Sequence, residues 1–445
     1  MTKITFLGAG STVFCKNVLG DSLMTPALSE SEIALYDIDG QRLDDSKRLL
    51  DKLNAQLGAK ATIKAYLGVE NRREALRNAD FVINAIQVGG YEPSTVIDFE
   101  IPKKYGLRQT IGDTLGIGGI MRTLRTVPVL RDFARDMEEV CPNALFLNYV
   151  NPMAMLTGYM QRYTGVRTIG LCHSVQVCSK GLLENLDMQD KLEGRRELIA
   201  GINHMGWLLE LYDRDGNDLY PEVRRRAREK IEKALATGEP NWDMVRLDYI
   251  DKFGYYCTES SEHNAEYNMF YIKDKYPERI SRFGIPLDEY PRRCVDQIGS
   301  WEKQREELFG DGVVEHTRSR EYASHIMEAV ATDKPYKFGG NVLNTGLIDN
   351  LPMDACVEVP CLADGRGIHP TYVGRLPVQC AAMNMTNINV QLLTIEAAVT
   401  KKREHVYQAA MLDPHTASEL SIDDIVHMVD DLLDAHGGWT DFGSR

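Results

Sequence analysis

Short apolar runs alternate with amphipathic stretches through the first 170 residues. Strands are predicted at 3–7, 33–36, 61–66, 80–86, 144–149 and 167–171. Helical patterns separate them at 12–23, 40–57, 73–78 and 117–140, and Pro128 is expected to kink the last helix. Strands that alternate with helices indicate an α/β fold with a doubly wound parallel sheet. Six such strands are typical of a complete dinucleotide-binding sheet of the Rossmann type.

The pattern changes beyond about residue 195, where helices dominate. They are predicted at 220–237, 286–310, 320–332 and 387–410, and irregular stretches such as 339–352 lie between them. We therefore predict two domains. A Rossmann-type domain spans 1–195, and a mixed α+β domain spans 196–445 and carries substrate, metal and oligomer contacts.

Composition narrows the class of protein. The 445 residues are 43% hydrophobic and 26% charged, which is ordinary for a globular enzyme. A net charge of -14 disfavours nucleic acid and anionic membranes as partners. No apolar run is long enough to span a bilayer, and the opening MTKITFLGAG has no secretory pattern. Nine cysteines without CxxC spacing favour reduced thiols, so we expect a cytoplasmic location.

The turn after the first strand has the chemistry of a nucleotide site. Gly8 permits a tight turn, and Gly10 lets the backbone approach a pyrophosphate at the start of a helix. The third glycine of GxGxxG is replaced by Val13, so the motif depends on its context after a strand. Asp37 ends the second strand, where a carboxylate binds ribose hydroxyls and favours NAD over NADP. The alternative is an ordinary strand–turn–helix without a ligand.

Three further residues complete the predicted cofactor site. Ser11 lies in the same turn, and Gln87 and Val88 follow the fourth strand. Because ligands gather at the carboxyl ends of parallel strands, these residues are expected to meet at one edge of the sheet.

Two later segments offer metal ligands. Asn151 follows the fifth strand in NYVNP, Cys172 follows the sixth in LCHS, and His204 lies in GINHMGW. A thiolate and an imidazole suit a divalent transition metal, and sugar hydroxyls can fill its open positions. A lone Cys or His is more often a buried core residue, so spacing alone leaves both interpretations open.

The order of these motifs resembles the NAD- and manganese-dependent glycoside hydrolase family 4, in its α-galactosidase (melibiase) branch. The resemblance covers nearly the whole chain. It is carried by KITFLGAGSTVF, ALYDID, QVGGYEP, GDTLGIGGIMRTLRT, LNYVNPMAM, GLCHSVQ, GINHMGW, TESSEH, LDEYPRRC, GLIDNLP and DPHTA. Enzymes of this family depart from the two-carboxylate scheme of other glycosidases.

The resemblance implies hydrolysis of an α-glycoside by oxidation and elimination. NAD+ takes hydride from C3 of the sugar, the C2 proton is removed, and the aglycone leaves. Water then adds at C1 and the ketone is reduced again. A metal ion supplies the stabilisation that the weakly acidic C2 proton lacks. Cys172 and His204 match the metal ligands, and Asn151 matches a residue that holds substrate hydroxyls.

The resemblance is weaker for the proton-transfer residues. His173 stands where phospho-glycosidase relatives carry Asp, which puts the proton-donor role in doubt, although a protonated His can donate at neutral pH. Tyr267 matches the family's base, and its pKa must be lowered for that role. Asp113 matches the carboxylate that raises the base's proton affinity. Nearby Glu259, Glu262 and His263 could share these roles or be solvated charges.

Substrate identity is the least determined feature. Arg292 and Arg293 lie where an Arg of phosphate-accepting relatives binds substrate, and a surface ion pair is the alternative. The QVGGYEPST segment lacks the Arg of phospho-specific relatives, which favours an unphosphorylated α-galactoside such as melibiose.

Other readings predict different reactions. Within the family they are an α-glucosidase or an α-glycosidase for uronic acids. Outside it they are an NAD-dependent 2-hydroxy acid dehydrogenase, which needs a His–Asp relay and makes NADH, or a non-catalytic NAD-binding regulator. Relatives imply a homodimer or homotetramer.

Overall fold

One mixed sheet runs through the whole molecule. The computed structural model describes residues 1–309 and 313–442. The strands of this described part are β1 (Lys3–Leu7), β2 (Glu32–Asp37), β3 (Thr62–Leu67), β4 (Phe81–Asn84), β5 (Leu145–Asn148), β6 (Arg167–Gly170), β7 (Arg196–Ile202), β8 (Met205–Tyr212), β9 (Tyr256–Cys257), β10 (Tyr336–Leu343), β11 (Cys356–Asp364) and β12 (Gly367–Pro370).

Helices of the described residues pack against this sheet. They are α1 (Thr12–Leu23), α2 (Gly40–Gln56), α3 (Arg72–Leu76), α4 (Val96–Lys104), α5 (Gly116–Val140), α6 (Met153–Tyr163), α7 (Ser174–Asn185), α8 (Tyr220–Thr237), α9 (Met244–Phe253), α10 (Ser261–Glu266), α11 (Glu278–Phe283), α12 (Glu289–Phe309), α13 (Ala323–Thr332), α14 (Val378–Thr400), α15 (Arg403–Leu412), α16 (Pro414–Glu419) and α17 (Ile422–His436). Among the residues described, none of these helices is long and apolar enough to cross a membrane.

The first half forms the predicted parallel sheet. Its strand order is β3-β2-β1-β4-β5-β6, and each neighbouring pair is parallel. This is the strand order of the dinucleotide-binding fold, with its reversal between β1 and β4. β1 is buried along its whole length, as expected for a central strand covered by helices on both faces. The predicted fold class is confirmed for this half.

The second half adds antiparallel strands to the same sheet. β10 pairs with β6, β11 lies between β10 and β7, and β8 and β9 complete the far edge. The mixed α+β character is therefore present, but these strands extend the first sheet instead of forming a separate one. β7 and β8 form a hairpin whose turn contains Asn203 and His204.

Some predicted boundaries were wrong. The helix expected at 387–410 is two helices, because α14 ends where Lys401 adopts a left-handed backbone with φ of 61°. α5 begins at Gly116, one residue before the predicted start, and continues as one helix through Pro128 to Val140. The helix predicted at 286–310 begins at Glu289, and Gly310 lies outside the described residues.

A buried charge cluster ties the carboxyl-terminal helix to the first half. Asp98 on α4 accepts from Arg125 Nη2 of α5 at 2.8 Å, and His436 Nε2 of α17 lies 2.8 Å from its other oxygen. All three side chains are at most 4% exposed. Arg125 also donates to the Val88 carbonyl at 3.2 Å, so the cluster supports the loop that follows β4.

Replacing Asp98 should destabilise the protein strongly. An Asp98→Ala change leaves a guanidinium buried without its carboxylate, which typically costs about 3–5 kcal/mol of unfolding free energy. Urea unfolding measures the loss. The matched control is Glu30→Ala, because Glu30 and Lys60 form an exposed ion pair expected to contribute less than about 1 kcal/mol. Equal effects for the two variants would contradict the assignment.

Candidate active site

A cavity of about 400 Å³ opens at the carboxyl ends of β1, β4, β5 and β6. It lies where the strand order reverses between β1 and β4, which is the usual ligand position in open α/β sheets. Predicted cofactor, substrate, proton-transfer and metal residues share its walls, namely Ser11, Gln87, Asn151, Cys172, His173 and His204. The fold therefore gathers residues that lie far apart in the sequence.

The turn between β1 and α1 is shaped by two close approaches. Gly8 has φ of 84°, and a Cβ there would lie 2.5 Å from the Ala85 carbonyl oxygen. The Gly10 N–H donates to Asp37 Oδ2 at 2.6 Å, and a Cβ on Gly10 would meet that same oxygen at 2.8 Å. A side chain at position 10 would therefore displace the Asp37 carboxylate.

Three side chains with metal-binding atoms converge on the cavity. The ligand atoms of Cys172, His204 and Glu259 all lie within 4.8 Å of one another. Glu259 Oε2 is 3.3 Å from His204 Nε2. Cys172 follows β6, His204 lies in the β7–β8 turn and Glu259 follows β9, so continuity of the sheet brings them together. A thiol, an imidazole and a carboxylate form a fitting donor set for Mn²⁺ or a similar cation.

The electrostatics of the three groups differ. Burial would raise the pKa of Glu259, but the imidazoles of His204 and His263 outweigh it and lower that pKa to about 2. Burial and the charges of Glu259 and Glu358 raise the pKa of the Cys172 thiol above its ordinary value. At neutral pH the site therefore holds an ionised carboxylate and a protonated thiol, which a cation must deprotonate to bind.

Tyr267 lies directly behind the three groups. Its hydroxyl is 3.0 Å from His204 Nδ1, and the side chain is fully buried. Burial raises the pKa of Tyr267 well above its ordinary value, and the charges of Asp113 and Glu266 raise it further. A base at this position thus needs a compensating cation nearby, which the neighbouring donor set is suited to hold.

For three residues of the site, the sequence analysis did not predict the place or role that the structure indicates. Glu259 was considered for proton transfer, not as a metal ligand. Arg122 and Glu321 line the cavity and were not predicted at all. Among the described lining residues, Arg122 is the one permanent cation. The sequence signal of Arg122 was its place in the GIMRTLRT segment. Glu321 stands in the segment predicted as the helix 320–332, which carries no motif.

Other predicted residues lie away from the cavity walls. Arg292 and Arg293 are on α12, where both pair with Glu289, and Arg293 also pairs with Glu262. Their side chains are 56% and 51% exposed. A substrate role for them stays a prediction. Val88 offers its carbonyl to Arg125, as described above.

Comparison with known proteins shows the family to which the chain belongs. Residues 3–188 match the family described as Family 4 glycosyl hydrolase, and residues 199–416 match the Family 4 glycosyl hydrolase C-terminal domain. The chain belongs to the family 4 glycosyl hydrolases. An α-galactosidase of Bacillus subtilis (strain 168) is 62% identical to it over 439 residues, which cover 99% of each chain. The family resemblance found in the sequence is confirmed.

Solved structures support the same fold. A putative glucosidase from Bacillus subtilis covers 97% of this family 4 chain and 100% of its own, with a TM-score of 0.85 and 25% identity. A 6-phospho-α-glucosidase from gut microorganisms, solved in complex with NAD and Mn²⁺, covers 100% of both chains with a TM-score of 0.80. At 20% identity the second structure is evidence for the fold alone.

Mn²⁺ binding should release a proton from this family 4 site. Because the buried Cys172 thiol has a raised pKa, a cation must displace its proton, and affinity should increase with pH across the neutral range. We expect about one proton per cation, measured by calorimetry in buffers of different ionisation enthalpy.

Two variants test the source of that proton. Cys172→Ser should lose the proton release and weaken binding by at least about 10- to 100-fold. Cys141→Ser, at another buried free thiol, is the matched control. Proton release that survives in Cys172→Ser would remove Cys172 from the ligand set.

Proposed function

We propose that this enzyme hydrolyses small, unphosphorylated α-galactosides. The single observation that carries the proposal is the 62% identity to an α-galactosidase along 99% of both chains. Family membership supplies the glycosidase chemistry, and the high identity supplies the sugar. A cavity of about 400 Å³ is suited to a sugar ring beside the reactive part of a cofactor.

NAD⁺ and Mn²⁺ are the proposed cofactors. The turn at Gly8 and Gly10, between β1 and the start of α1, would bind the pyrophosphate, and Asp37 at the end of β2 would accept the ribose hydroxyls. Ser11 and Gln87 line the adjoining cavity. A structural relative binds both groups. When bound, NAD⁺ would take and return a hydride at C3, while the cation would stabilise negative charge on the sugar at C2 and C3.

The cation would be held by Cys172, His204 and Glu259. The thiol and the carboxylate bring negative charge to the site, and the Tyr267 hydroxyl fixes the orientation of His204 through the other ring nitrogen. Such a bond to the distal nitrogen is the usual way in which a metal-binding His is oriented.

Proton transfer is assigned to residues around this centre. Tyr267 would remove the C2 proton, and Asp113 would raise its proton affinity through its negative charge. His173 lines the cavity and would protonate the leaving oxygen, and Asn151 would hold sugar hydroxyls.

A uronate substrate is the second candidate, because Arg122 lines the cavity and could meet a carboxylate. The charge of Asp113 acts on Arg122, however, so this guanidinium already has an anionic neighbour. That neighbour favours a neutral sugar. We also propose the two-domain division at 195/196, a homodimer or homotetramer, and a cytoplasmic location.

The proposed activity predicts a distinctive isotope result. With NAD⁺, Mn²⁺ and a reductant, p-nitrophenyl α-galactoside in D₂O should release nitrophenol and take up deuterium at C2, without net NADH. The α-glucoside and α-galacturonide serve as matched substrates and should react more slowly. Release that needs neither NAD⁺ nor a metal would overturn the mechanism. Net NADH would favour the dehydrogenase alternative.

Asp37 should decide between NAD⁺ and NADP⁺. Asp37→Asn replaces a charged acceptor of the Gly10 N–H and of ribose hydroxyls, so the KM for NAD⁺ should rise about 10-fold or more. Discrimination against NADP⁺ should fall, since the repelling charge is gone. Asp39→Asn, which alters the cap of α2 and an exposed ion pair with Arg42, is the control. An unchanged KM ratio for the two nucleotides would exclude Asp37 from the site.

A further inference from the structure

The loop between α4 and α5 carries Asp113 through the interior of the protein. Gln109, Thr110, Ile111 and Thr114 in this loop are at most 4% exposed, yet residues 107–115 form neither helix nor strand. Buried backbone N–H groups outside regular structure need other acceptors. The partners of this loop therefore determine where the Asp113 carboxylate lies.

Glu266 supplies those acceptors. Its carboxylate accepts from three consecutive backbone N–H groups, at 2.8 Å from Thr110, 3.3 Å from Ile111 and 2.8 Å from Gly112. Burial raises the pKa of Glu266 to about 7, although the bonds from the Gly112 and Thr110 backbone oppose the shift. Gly112 directly precedes Asp113, and Glu266 directly precedes Tyr267. The Glu266 carboxylate thus connects the backbone next to Asp113 with the backbone next to Tyr267.

Two glycines of α5 press on the loop from the opposite side. A Cβ on Gly118 would lie 2.1 Å from the Gly112 carbonyl oxygen, and one on Gly119 would lie 2.7 Å from the Thr114 carbonyl. No side chain fits at either position without moving the loop. The backbone around Asp113 is therefore held between α10 and α5.

The DPHTA segment contacts the start of the same loop. His415 Nε2 lies 2.7 Å from the Arg108 carbonyl oxygen. Asp413 caps α16 through the Thr416 N–H at 2.8 Å, and a Cβ on Gly116, the first residue after the loop, would lie 3.8 Å from its carboxylate. His415 is 3% exposed and Asp413 is 1% exposed, so both act from within the core. This motif has no role in the reaction described above.

We propose that Glu266 is a positioning residue that holds Asp113 beside Tyr267, and that His415 supports it by securing the start of the loop. The proposal rests on the function proposed above. The Glu266 carboxylate is engaged by three backbone N–H groups of the loop, so it acts through the loop and not on the substrate. Since a displacement of about 1 Å in a catalytic group can cost about 100-fold in rate, three backbone bonds at this point control the reaction.

Glu266→Gln provides the main test. The side-chain amide of the variant would point its own N–H towards at least one of the three backbone N–H groups, so that hydrogen bond would be lost. The backbone amide hydrogens of residues 110–112 should therefore exchange faster in the free protein. With p-nitrophenyl α-galactoside, kcat and C2 deuterium uptake should fall together by about 100-fold, while KM and Mn²⁺ affinity change less than about threefold. Glu138→Gln is the matched control, because Glu138 accepts one backbone N–H from Gly165 at a distant site.

The outcomes separate the two proposals. Glu266→Gln activity within twofold of the parent, or a rate loss without faster exchange at 110–112, would overturn the positioning role. Equal changes in KM, Mn²⁺ affinity and kcat would overturn it as well, since they indicate general damage. If Glu266→Gln does not fold, Thr110→Val and His415→Gln should give the same pattern with smaller effects, and unchanged exchange in both would reject the proposal. If the parent cleaves no galactoside, the proposed function fails, whereas amide exchange still shows whether Glu266 holds the loop.

Discussion

The pairing of Gly170 with Asn341 joins the two halves of the sheet, and the candidate active site depends on it. It is the one residue pair by which β6 and β10 are in register. A Cβ on Gly170 would lie within 2.8 Å of Met153, Thr157 and Asn341, so the two strands could not approach with any other residue there. Cys172 follows Gly170 by two positions, and the junction thereby brings the first half to the rest of the donor set.

A buried carboxylate connects this junction to the other side of the site. Glu358 on β11 accepts from Asn341 Nδ2 at 3.0 Å and from Asn203 Nδ2 at 3.4 Å. Asn203 precedes His204 in the hairpin turn. Burial raises the pKa of Glu358 to about 7, although these amide bonds oppose the shift. The pKa of the partly exposed Glu259 in the same region is lowered to about 2, so Glu259 is the more acidic of the two carboxylates and keeps its negative charge where a cation would bind.

Sequence reasoning succeeded where the signals are local. The β1 turn and the six parallel strands follow from periodicity and turn chemistry within short windows. Asp37, Cys172 and His204 stand in recognisable motifs, and their roles stay predictions. The strands of the second half escaped prediction. β10 has glycine at positions 339 and 340, whose identity reflects crowding by Val175 and Cys361 and not a strand propensity. Contacts between distant segments created those constraints, and a single sequence does not display them.

Glu259 is a stronger example of a residue that local sequence signals do not predict, because it adopts an unfavourable backbone conformation. Both His204 and Glu259 have left-handed backbones, with φ of 63° and 68°. Each such residue costs about 1–3 kcal/mol, and a hairpin turn chosen for stability alone would place Gly or Asn at 204. Local propensity therefore disfavours His at position 204 and Glu at position 259. The convergence of their side chains with Cys172 explains why these residues are present. His204 and Glu259 lie in separate segments whose side chains meet at one point, and both have a strained backbone. Such strain is expected where residues are selected to bind a ligand and not to stabilise the fold.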